Sequence, residues 1–401
     1  MKAKNFVPLL LLLVACFTKA QIVPMPLGIN ICGSEFGEDN LPGTLNVDYV
    51  YPSSSEINYF YKKGFKVINL PFRWERIQRK LGGELDEREL TEIKKFVVSC
   101  NALGLKVILS MHNFGRYKMG AYEYIIGSPQ VSRWHYRDVW KKIAEAFKMN
   151  ENIYGYAIMS EPHDMWNYSW TLSAQQAITA IREVDRKTNI IVGGDNYSCS
   201  EEWGVYNDDL KILTDPSNKI IFDAHCYFDE DHSGRYNVDY ASSHTDAYTG
   251  IKRVKPFVDW LKKNNKKGII GEFGVPAYDN RWMMVMDNFL KYINQNGISA
   301  NYWAAGPWWA NYDLSIEPTV YGNDKPQMVV LQKYIYGSRE KSSYTINTKN
   351  YNSSSASYTP VITSTNRNHS TNQKKNRTNT SNTSAVISTA SYRYTVSVMG
   401  E

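Results

Sequence analysis

The chain reads as an α/β protein, a (β/α)8 barrel followed by a disordered Ser/Thr/Asn-rich tail, and three observations predict this. Eight short apolar runs recur through the body, their starts 29 to 49 residues apart, and each ends in polar residues. Amphipathic, helix-like segments separate them, the alternation that builds a parallel sheet. Past Tyr336 the composition changes abruptly to Ser, Thr and Asn, with no Leu from Gly337 to the end. A doubly wound sheet is the competing arrangement. It lacks support, because Gly33-Ser34-Glu35-Phe36-Gly37 after the first run does not have the spacing of a phosphate-binding loop.

The runs are Gly28–Cys32, Lys66–Phe72, Lys106–His112, Ile153–Ser160, Ile190–Gly193, Lys219–His225, Gly268–Glu272 and Ser299–Ala304. Helix punctuation lies between them. Asp86 with Glu89 reads as a capping box, and Gly104 closes the helix that follows. Ser173 with Gln176 predicts a second box ahead of Ala177–Arg186, and Gly297 ends Met283–Asn296.

The ends of the chain differ from this body. Lys2 and Lys4 precede an apolar stretch through Val14, too short to span a bilayer and suited to a signal-peptide core. Residues 1–20 are read as that peptide, cleaved after Ala20, and the protein as secreted. The alternative is a lipobox, Leu13-Val14-Ala15-Cys16, with lipid on Cys16. Residues 21–336 form the catalytic domain. Residues 337–401 form a low-complexity tail that cannot bury enough apolar surface to offset its ordering entropy. Four cysteines follow the signal; Cys100 reads as a buried thiol, and Cys199 and Cys226, after consecutive strands, are candidates for a pair.

Charge excludes one class of partner. The chain carries a net +6, but 8 basic and 2 acidic residues from Gly337 onward account for it, leaving 38 of each sign in the body. A neutral body lacks the basic face of a nucleic-acid binder. No transmembrane segment is expected, and the protein is read as a monomer. Aromatic residues reach 13%, including 29 Tyr and 11 Trp, which fits a surface that grips flat rings such as sugars.

In a (β/α)8 barrel the site forms at the C-terminal ends of the strands. Strand two ends in Arg73-Trp74-Glu75 and strand three in His112-Asn113. Strand four ends in Ser160-Glu161-Pro162-His163, strand six in His225-Cys226-Tyr227 and strand seven in Glu272-Phe273-Gly274. Strand eight carries Trp303, then Trp308 and Trp309. Two carboxylates facing across a sugar-sized gap are the equipment of glycoside hydrolysis, one protonated and one ionised. Arg73 and Tyr227 are candidate donors that hold Glu272 ionised. No ligand spacing calls for a metal, and no cofactor is expected. Trp166, Trp170, Trp203 and Tyr117 are candidate sugar platforms in loops.

These blocks resemble glycoside hydrolase family 5, in particular its cellulases. The second-strand block Leu70-Pro71-Phe72-Arg73-Trp74-Glu75, the third-strand block Met111-His112-Asn113-Phe114-Gly115-Arg116-Tyr117 and Ser160-Glu161-Pro162 each look like one of the family's strand-end motifs. So do His225-Cys226-Tyr227-Phe228-Asp229, Gly271-Glu272-Phe273-Gly274 and Tyr302-Trp303-Ala304-Ala305-Gly306-Pro307-Trp308-Trp309. The resemblance covers about Gly28 to Tyr336. It implies a retaining endo-β-1,4-glucanase with Glu161 as acid/base and Glu272 as nucleophile. Arg73, His112, His225, Tyr227 and Trp303 become supporting or −1 subsite residues, and the partner is a β-glucan. Mannan, xyloglucan or mixed-linkage glucan are alternatives within the same chemistry. One position departs from the family, whose Asn before the acid/base is Ser160 here. That departure motivates the rival reading of a catalytically weakened glycan-binding protein.

Overall fold

The computed structural model describes residues 27–320 and 322–335. The signal-peptide reading of residues 1–20, the lipid site Cys16 and the tail 337–401 lie outside the described residues. Eight parallel strands close into a barrel. They are β1 (Gly28–Ile31), β2 (Val67–Phe72), β3 (Lys106–Met111), β6 (Ile153–Ala157), β7 (Asn189–Gly193), β8 (Ile220–His225), β9 (Gly268–Phe273) and β10 (Ser299–Ala305). β10 pairs with β1 to complete the ring, Gly28 opposite Asn301 and Ile29 opposite Tyr302. A short hairpin, β4 (Arg116–Met119) with β5 (Tyr122–Ile125), is inserted after β3 and was not anticipated from the runs.

The period of two along each strand sorts side chains between two cores. Outward residues such as Ile68, Leu70, Val107, Leu109 and Phe222 pack against the helices in one large cluster. Inward residues Val67, Ile108, Ala157, Ile191, Ile221 and Ile269 form a separate apolar floor inside the barrel. Two residues further along the same inner face come Asn69 on β2, Ser110 on β3 and Asp223 on β8. Another step brings His112 and His225 to the mouth. The barrel is thus filled from bottom to top by an apolar, then a polar, then a titratable layer.

The helices follow their sequence signals with three corrections. Asp86 caps α3 (Glu87–Ala102) by accepting from the amides of Arg88 and Glu89. Glu89 does not close the box. Its carboxylate turns inward to accept from the hydroxyls of Tyr49 and Tyr51. α5 (Trp170–Arg182) begins earlier than Ser173 and ends before Arg186, with Ser169 as its N-cap, because Trp170 is drawn into the core and donates its indole N–H to Gly193 O. Gly104 at φ +68 ends α3, letting the Leu105 amide reach back to Cys100 O at 3.0 Å. The pairing considered for Cys199 and Cys226 is not formed, and all four described cysteines are free thiols. Among the described residues no helix is long and apolar enough to cross a membrane.

One ion pair ties the outer layer together. Arg182 at the end of α5 holds Asp215 in a fork, Nε–Oδ1 at 2.7 Å and Nη2–Oδ2 at 3.0 Å, with both side chains buried. Asp215 also accepts from the amides of Ser217 and Lys219, shaping the turn into β8. Arg182→Ala leaves that carboxylate buried without its counter-charge, which costs about 3–5 kcal/mol. Calorimetry is expected to show a melting temperature several degrees lower, with Arg182→Lys in between.

Candidate active site

Glu272 lies in β9, and Glu161 in the loop directly after β6. Glu161 sits at φ +47, a conformation unfavourable for a residue with a Cβ and a mark of a functional constraint. The loop is pinned on either side, since the Ser160 amide donates to Met111 O and that of Tyr197 donates to Pro162 O. The turn brings the two carboxylates together. Glu161, His225 and Glu272 offer atoms that all lie within 4.8 Å of one another.

His225, the last residue of β8, stands between them. Its Nδ1 is 2.7 Å from Glu161 Oε1 and 3.4 Å from Glu272 Oε2. Among the described residues this is the one group of acidic and histidine side chains whose atoms come this close together. Tyr227 donates its hydroxyl to Glu272 Oε2 at 2.8 Å, and Ser160 Oγ lies 3.4 Å from Glu272 Oε1. His112 closes the other side, Nε2 at 3.9 Å from Glu272 Oε1, its ring stacked on Trp303 at 5.6 Å.

Burial sets the protonation of this group. It pushes the Glu272 carboxyl up to about 8; the neighbouring charge of Glu161 adds to the rise, while His225 and the Tyr227 hydrogen bond oppose it. Burial also works against a charged His225, yet Glu272, Asp223 and Glu161 outweigh it and raise His225 well above its usual value. His112 goes the opposite way, kept neutral by burial and by the charges of Arg73 and His225. Its contact with Glu272 is therefore not an ion pair.

Several expectations are corrected. Arg73 does not reach Glu272. Its guanidinium turns to the Glu38 carboxylate and Glu35 O and lies over the Phe114 ring, so it cannot hold Glu272 ionised. Asn113 is spent on structure, accepting from the Trp74 amide and donating to Glu75. Trp309 is only 5% exposed, packed against Phe36, Trp303 and Tyr312 with its indole N–H on Ala305 O. Trp308 is half-buried beside it. Tyr117, Trp170 and Trp203 are core residues, whereas Trp166 stays 77% exposed after Glu161. Glu38, Asn69 and Asp223 were missed; the alternation Ile221-Phe222-Asp223-Ala224-His225 was the signal that puts Asp223 on the face of His225.

A closed parallel barrel with two buried carboxylates and two histidines at the C-terminal mouth defines a class, that of barrel glycoside hydrolases. The family described as Cellulase (glycosyl hydrolase family 5) matches residues 31–308. Endo-beta-1,4-glucanase B of Emericella nidulans is 33% identical over 296 residues, 73% of this chain and 86% of that one. The Pseudomonas stutzeri endoglucanase Cel5A, solved in complex with cellobiose, superposes with a TM-score of 0.74 at 38% identity, covering 78% of this chain and 95% of its own. An endo-beta-1,4-glucanase from Xanthomonas axonopodis pv. citri gives 0.72 at 32% identity, covering 77% and 98%. The chain belongs to glycosyl hydrolase family 5. It is an endo-β-1,4-glucanase.

Tyr227→Phe removes one hydrogen bond to ionised Glu272. The midpoint of the Glu272 titration, followed by carbon-13 NMR of its carboxyl, is expected to move up from about 8 by roughly one pH unit.

Proposed function

We propose that this endoglucanase is secreted and cleaves internal β-1,4-glucosidic bonds of cellulose or related β-glucans by double displacement, with Glu161 as acid/base and Glu272 as nucleophile. The observation that carries the reading is the carboxylate spacing. Oxygens of Glu161 and Glu272 approach within 4.8 Å, near the roughly 5–5.5 Å of retaining pairs and short of the roughly 6.5–9.5 Å that leaves room for water in inverting ones. The cellobiose bound by the Pseudomonas relative supports a cello-oligosaccharide substrate. Residues 1–20 serve as the export signal in this reading, and residues 21–336 as the catalytic domain.

The steps follow from the residues. In this reading the carboxyl pair carries one catalytic proton, to be delivered by Glu161. The glycosidic oxygen docked against Glu161 draws the proton to that side, while Tyr227 and His225 keep the charge on Glu272. Glu272 attacks the anomeric carbon as Glu161 protonates the departing sugar. Esterified Glu272 no longer repels a charge on Glu161, which now takes the proton of the incoming water.

Three outcomes test this. Hydrolysis of cellopentaose followed by proton NMR is expected to release the β-anomer first; α-anomer first would sink double displacement. Glu272→Gln should remove activity on every substrate, whereas Glu161→Gln should hydrolyse a dinitrophenyl cellobioside far better than cellopentaose, since a good leaving group needs no acid. The kcat/KM profile should be bell-shaped, with activity falling at high pH as the acid proton of the carboxyl pair is lost.

Ser160 stands where the family carries an Asn that donates to the substrate 2-hydroxyl. Restoring it by Ser160→Asn supplies one transition-state hydrogen bond of about 1–3 kcal/mol. Steady-state assay on a cello-oligosaccharide should show kcat rising roughly tenfold or more, with KM changing less.

A further inference from the structure

Beneath the mouth, above the apolar floor, the barrel encloses a polar chamber between Asn69, Asp223 and Gly271, roofed by His225 and Glu272. Its volume is about 10 Å³, the room of about one water molecule. Two acceptors face it without hydrogen-bond partners, Asn69 Oδ1 and Asp223 Oδ1. The Asn69 orientation is fixed by a chain of amides. Asn30 donates to Gly271 O and Tyr302 O, so its own oxygen accepts from Asn69 Nδ2, and Asn69 Oδ1 is left toward the chamber. Gly271 makes the space, since a Cβ there would lie 2.3 Å from Asp223 Oδ1.

Asp223 is a carboxylate deep in a barrel, 7% exposed. Buried charges are paired, yet among the described residues no Lys or Arg nitrogen comes within 4.0 Å of it. The one titratable nitrogen that does is His225 Nε2, 3.9 Å from Oδ2. That distance is electrostatic contact rather than a hydrogen bond. Both ring nitrogens of His225 thus face carboxylates, Nδ1 toward Glu161 and Glu272, Nε2 toward Asp223. A neutral imidazole has one N–H and can donate toward only one of these sides, whereas the doubly protonated ring donates toward both.

We infer that Asp223 is a positioning residue of the active site, which from inside the barrel holds His225 as an imidazolium turned toward Glu161 and so fixes where the site's proton sits. Resting on the reading of Glu161 as acid/base, it adds an interior counter-charge that neither the family motifs nor the mouth contains. The groups that face His225 are Glu161 from the loop after β6, Asp223 on its own strand and Glu272 on β9, with Tyr227 on Glu272 and neutral His112 beyond it. The direction of the His225 shift agrees, raised by the three acids against burial. A water in the chamber would have hydrogens for both Asn69 Oδ1 and Asp223 Oδ1.

The test is Asp223→Asn, isosteric and uncharged. Removing the negative charge makes the protons of His225 and of the carboxyl pair easier to lose. The descending limb of kcat/KM on carboxymethylcellulose should therefore move to lower pH by roughly one unit. At pH 7 and above kcat should fall several-fold with KM nearly constant, and it should recover as the pH is lowered. A merely structural role would depress activity evenly across the profile; an even loss, or a limb that does not move in a folded variant, overturns the inference. Should the variant not fold, nitrogen-15 NMR of histidine-labelled wild type decides. Both ring nitrogens of His225 should carry hydrogen at pH 7.5, and a neutral ring there overturns the inference. The role of Glu161 fails separately, if Glu161→Gln keeps full activity on cellopentaose, and that result leaves the ring state of His225 untouched.

Discussion

The mouth is organised by a single imidazole nitrogen, His225 Nδ1, 2.7 Å from Glu161 and 3.4 Å from Glu272. Two carboxylates this close and this dry cannot both be charged without a cation or a proton between them. The imidazolium is that cation. Tyr227 biases the charge toward Glu272 by its hydrogen bond, while Ser160 and neutral His112 approach the same carboxylate more weakly, at 3.4 Å and 3.9 Å.

Strand period places several of these groups, while a loop turn brings in Glu161. On β8, Ile221, Asp223 and His225 point inward in succession, so one strand contributes a floor residue, a counter-charge and a bridging histidine. On β3 and just past its end, Ile108, Ser110 and His112 follow the same succession, a floor residue, a hydroxyl and a neutral histidine. A one-residue slip of either strand would send each of these to the helix side. The register that closes the barrel is therefore also the register that assembles the chemistry.

This explains what could be read from the sequence. The barrel and the mouth residues Glu161, His225, Tyr227 and Glu272 were legible because each sits at the end of an apolar run, a position the fold turns into a site. The partners of Arg73 and Asn113 were not legible. Both occupy strand ends, but whether a long side chain turns to the pocket or to Glu38, or an amide to Trp74 and Glu75, depends on loops whose course no periodicity encodes. The inserted hairpin β4–β5 and the packing of Trp309 escaped for the same reason. Asp223 was legible in principle, as the polar residue two before His225, but it lies inside its apolar run rather than at the strand end.

The polar middle layer has a thermodynamic cost that the apolar layers must offset. An orphaned acceptor such as Asn69 Oδ1 or Asp223 Oδ1 forfeits about 1–3 kcal/mol if nothing donates to it, and Glu161 at φ +47 adds strain of about the same size. Against this stands a closed ring of eight strands, with an isoleucine-rich floor inside and a continuous apolar cluster outside. A smaller core would repack around such groups. Here the ring fixes the floor below and the strand ends above, so the carboxylates and the histidine cannot relax away from one another. The electrostatic tension of the mouth is held by the hydrogen-bonded barrel, and that preorganisation lets a site with few hydrogen bonds keep two acids poised within 4.8 Å.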